Sequence, residues 1–87
     1  MSDVFAVKQK AIAANYDKSL TLEEKRQAWR NVLMACHAER LEAAKLKYGM
    51  SYARDVRLGD TEWDAKAQIE TITKMIVKQR AAEKAAA

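Results

Sequence analysis

Apolar positions along the chain recur at intervals of three and four residues, the spacing that collects side chains on one face of an α-helix. No segment alternates with the period of two that a half-buried strand requires. Breakers are few, with no proline and only Gly49 and Gly59 as strong punctuators. The pattern therefore predicts an all-α chain with helices over about 3–16, 22–48 and 62–84. Ser2 or Asp3 can cap the first, and the polar run Tyr16, Asp17, Lys18, Ser19 ends it. Thr21 with Glu24 three residues on is a capping box for the second, and Gly49 can take the left-handed conformation that closes it. The second helix would be roughly 40 Å long. A connection from Gly49 to Asp60 follows, with room for one short helical turn over 51–57. Thr61 and Asp64 are a weaker capping pair for the third helix, which runs into an alanine-rich tail.

At about 100° per residue, Leu22, Trp29, Val32, Leu33 and Cys36 share one face of the second helix. Met34, His37, Leu41, Ala44 and Tyr48 form another stripe about 110° away. Arg40 and Lys47 fall where the first face would continue. A helix apolar on two sides requires two neighbours, either the other helices of a bundle or a second molecule. The third helix lines up Ala65, Ile69, Ile72 and Ile76, with Trp63 and Val77 well off that stripe. The first helix is also two-sided, Phe5, Ile12 and Tyr16 against Val4, Val7, Ala11 and Ala14.

Eighty-seven residues make one domain, and 49% hydrophobic with 32% charged residues suits a folded helical protein rather than a disordered chain. The expected architecture is a small three-helix bundle, or a helical hairpin with an additional N-terminal helix. Alanine-rich faces bury little area, so such a thin core calls for self-association or a partner. A formal charge of +4 permits nucleic acid, an acidic protein or an anionic membrane as partner without selecting any of them. The N-terminal stretch has charges too early for a secretory signal, and no segment approaches the ~18 apolar residues of a membrane span. A lone cysteine suits a reducing compartment, and the cytoplasm is the expected location.

Candidate chemistry is sparse. Cys36 and His37 are adjacent, so on a helix they point about 100° apart and cannot act together as nucleophile and base. Cys36 reads as a small buried hydrophobe and His37 as an interhelical contact. One cysteine and one histidine cannot supply a structural zinc site, and Glu39 with Glu42 read as solvated ion-pairing groups rather than metal ligands. No phosphate loop or serine elbow appears. The reading is therefore a non-enzymatic protein without a cofactor, metal or small-molecule substrate. Its expected work is protein interaction, in an accessory or inhibitory capacity, through Met34, His37, Leu41 and Tyr48, with Arg40 and its basic neighbours orienting the partner.

The alternative is a nucleic-acid binder. Lys45, Lys47, Tyr48, Tyr52, Arg54 and Arg57 would neutralise phosphates with their cations and stack bases on their tyrosines. A second basic set, Lys74, Lys78, Arg80 and Lys84, lies on the last helix, where the helix dipole alone accounts for late cations. A basic membrane-surface helix is not expected, because the segment from Ile72 onward has cations but lacks Trp, Phe and Leu.

Overall fold

The structure, a computed structural model, describes residues 3–86 and contains three α-helices: α1 (Val4–Asn15), α2 (Leu22–Ala44) and α3 (Tyr52–Ala86). Asp3 caps α1, its carboxylate accepting the Ala6 N–H at 3.2 Å; Ser2, the other candidate cap, lies outside the described residues. A tight turn follows in which the Asp17 carboxylate accepts both the N–H and the hydroxyl of Ser19. These bonds hold the Asp17 carboxyl below its ordinary pKa. The expected capping box at Thr21 and Glu24 is present in full, each side chain accepting the other's backbone N–H at 3.1 Å.

The second half departs from the sequence expectation at two boundaries. Helix α2 stops at Ala44 rather than near Tyr48, where Lys45 and Leu46 turn their N–H groups to carbonyls three residues back and tighten the final turn. Gly49 does adopt a left-handed φ of 67°, but as the corner of the following loop, not as the cap of α2. Helix α3 starts at Tyr52, about ten residues before the expected position, and absorbs both the supposed connection and Gly59. Ser51 begins it, its hydroxyl accepting the Arg54 N–H and its carbonyl the Asp55 N–H. Thr61 consequently caps nothing; its hydroxyl donates to the Arg57 carbonyl at 2.9 Å inside the helix. Burial of Leu58 and Thr61 on either side holds Gly59 helical, offsetting a propensity cost of about 1 kcal/mol.

At 35 residues α3 is about 52 Å long and forms the spine of a molecule measuring 59 × 19 × 17 Å. Helix α2 lies antiparallel along it, since Arg40 meets Asp55 and Glu62, Arg26 meets Thr73, and Glu23 meets Arg80. The short α1 packs against α2 and is joined to α3 through side chains, Lys8 to Asp64 and Asn15 to Gln68. The core is Trp29, Val32, Ala35 and Cys36 of α2, Leu58, Ala65, Ile72 and Ile76 of α3, and Val4 and Ala11 of α1. Trp29 is satisfied as well as buried, because its indole N–H donates to Asn15 at 3.0 Å. No helix among the described residues is long and apolar enough to cross a membrane.

Candidate interaction surface

Packing decides which of the two stripes on α2 is core. The Trp29, Val32 and Cys36 face meets α1 and α3, while Met34 remains 65% and Leu41 55% exposed, with His37 and Ala44 exposed beside them. Helix α1 does not cover this second stripe; it buries Val4, Ala11 and Ala14 and leaves Phe5 and Tyr16 in solvent. The outward face of α2 is thus a narrow apolar surface with one titratable imidazole in its middle.

Two residues expected to extend this surface stand elsewhere. Tyr48 is 88% exposed but belongs to the loop, because α2 ends four residues before it. Arg40 turns the other way. Its guanidinium donates to Glu62 through Nε and Nη2, at 2.8 and 2.6 Å, and to Asp55 through Nη1. The hydrogen bonds it donates to Asp55 and Glu62 raise its pKa above the ordinary value. Arg40 joins α2 to α3 and is not disposed to orient a partner at Leu41.

The basic and tyrosine cluster gathers at the turn end of the hairpin without forming one face. Lys45, Lys47 and Tyr48 occupy the loop, the Lys47 ammonium standing 5.5 Å from the Tyr48 ring centre. Tyr52 opens α3 with 83% of its surface exposed, but Arg54 lies about 160° around the helix from it. Arg54 is bound to Glu39, and Arg57 lines a groove beside α1.

Sequence reading missed a further apolar strip on α3. Tyr52, Val56 and Trp63 share its outer face, Trp63 with 73% of its surface in solvent. Their spacings of four and seven residues are visible in the sequence, but only once the helix is known to begin at Tyr52.

Cys36 is fully buried, whereas His37 is exposed on the same helix. Burial, aided by the negative charges of Glu62 and Glu39, pushes the thiol pKa up and disfavours the thiolate that nucleophilic chemistry requires. Among the described residues, no group of three or more His, Cys, Asp or Glu side chains is placed to hold a metal ion. No family model, curated protein or solved structure matches the chain.

Proposed function

We propose that the chain is a small non-enzymatic interaction module, accessory or inhibitory in role, that binds a protein partner through the outward face of α2. The observation carrying this reading is that Met34, His37 and Leu41 form a helically spaced stripe that neither α1 nor α3 covers. Apolar anchors at spacings of three and four are what a helix presents to a groove or to another helix. Such anchors contribute most where a partner removes them from water, and little to the stability of the isolated chain. The replacement Leu41→Glu separates the two contributions. Circular dichroism and thermal melting should stay within about 0.5 kcal/mol of the parent, the range of ordinary surface changes, while the partner complex is lost. A cooperative loss of helicity would instead make Leu41 part of the core.

A second reading, nucleic-acid binding at the hairpin turn, is favoured by the exposure of Tyr48 and Tyr52 near Lys45 and Lys47. It requires log affinity to fall linearly with log salt as phosphate counterions are released. An apolar α2 interface resists salt.

A further inference from the structure

The first turns of α1 and α3, together with one flank of α2, line an open groove of about 760 Å³, inside the ~300–1,000 Å³ range of ligand sites. Val4 and Leu58 give it a buried apolar lining, Ala53 adds to it, and Phe5 brings a largely exposed ring. The charged residues around it are Lys8, Arg54 and Arg57 against Asp3 and Glu39. Glu39 is paired with Arg54, while Asp3 accepts the Ala6 N–H as the cap of α1 and keeps its charge, so three cations face two anions in the lining. Lys8 reaches Asp64, which is not part of the lining, at 3.3 Å. The Arg57 guanidinium meets no carboxylate among the described residues.

An uncompensated guanidinium beside an apolar lining sets the chemistry of the occupant. A purely apolar ligand would draw water away from Arg57 without pairing it, which is unfavourable. A carboxylate next to an apolar side chain satisfies both halves, forming a bidentate charge-assisted pair as the apolar group is buried. The groove is partly open to solvent, which leaves room for a peptide segment to enter. We propose that it docks an acidic segment of a partner protein, an apolar side chain resting against Val4, Phe5 and Leu58 while a neighbouring Asp or Glu pairs with Arg57. Glu39, on the groove side of α2, lies about 160° around that helix from Leu41, so this site is separate from the outward stripe and does not depend on it.

Random linear peptides displayed and selected against the immobilised full chain test the proposal, followed by fluorescence anisotropy of the enriched sequences. Enriched peptides should pair an acidic residue with an apolar one. Their affinity should fall at least about tenfold in Arg57→Glu, the loss of one charge-assisted contact, and less in Arg57→Gln. Phe5→Ala should weaken them and Leu41→Glu should not. Arg57 and Phe5 are exposed, so these variants keep the fold, which their melting curves check. Enriched peptides without acids, affinity unchanged by Arg57→Glu, or no enrichment over the uncoated support would each overturn the proposal.

Discussion

Cys36 and Arg40 illustrate how single residues with chemical potential are committed to structure. The thiol of Cys36 sits in the core, where burial raises its pKa, so the folded chain holds the thiol proton more tightly than the unfolded chain does. Its contribution to stability is fully present below the unfolded thiol's pKa and is lost as pH rises through the folded value. At neutral pH a thiol reagent should label Cys36 only as fast as the chain unfolds; rapid stoichiometric labelling of the native protein would contradict its placement. For Arg40, Arg40→Met keeps the aliphatic stem but releases Glu62 and Asp55. Because the paired side chains are partly exposed, solvent screening limits the expected loss to about 1 kcal/mol, measurable by urea denaturation. An unchanged denaturation midpoint would mean that water replaces those bonds at no cost.

At the scale of the elements, Gly59 gives the sharpest expectation. It lies inside α3, and a Cβ added there would meet nothing within 4 Å. Gly59→Ala should therefore stabilise the fold by about 0.5–1 kcal/mol through helix propensity alone. Destabilisation would indicate that α3 breaks at this position. The same glycine explains why the N-terminal third of α3 was hard to read. Gly49 and Gly59 bracket a segment rich in polar residues, so local punctuation predicts a connection, whereas the stabilising contacts of Leu58 and Thr61 come from outside the segment. Where local signals and tertiary burial agree, the sequence is legible. The Thr21–Glu24 box, the Trp29–Val32–Cys36 face and the Ala65–Ile69–Ile72–Ile76 stripe all occur as their spacing predicts. The Met34–Leu41 stripe was visible as a second apolar face, but periodicity cannot say whether a face is covered. Nor does it show that Arg40 turns toward α3, because that depends on Glu62 and on Asp55, which local punctuation places in a connection.

The whole molecule is a long, thin hairpin braced by a short third helix, and its shape bears on function. With transverse extents of only 19 and 17 Å, nearly every residue is close to a surface, and the core is a single seam supplemented by alanines. Apolar groups remain outside on each helix: Phe5 on α1, Met34 and Leu41 on α2, and Val56 and Trp63 on α3. The proposed partner-binding role draws on these exposed apolar groups, which stand at helical spacing. The most direct test of the proposed α2 interface is affinity capture from native lysate with tagged parent and Leu41→Glu proteins side by side, after nuclease treatment and with elution by rising salt. The proposal expects a stoichiometric protein that stays on the parent through moderate salt and is missing from the equally folded variant. Identical captures on both, or a parent capture that disappears with nuclease, would contradict it.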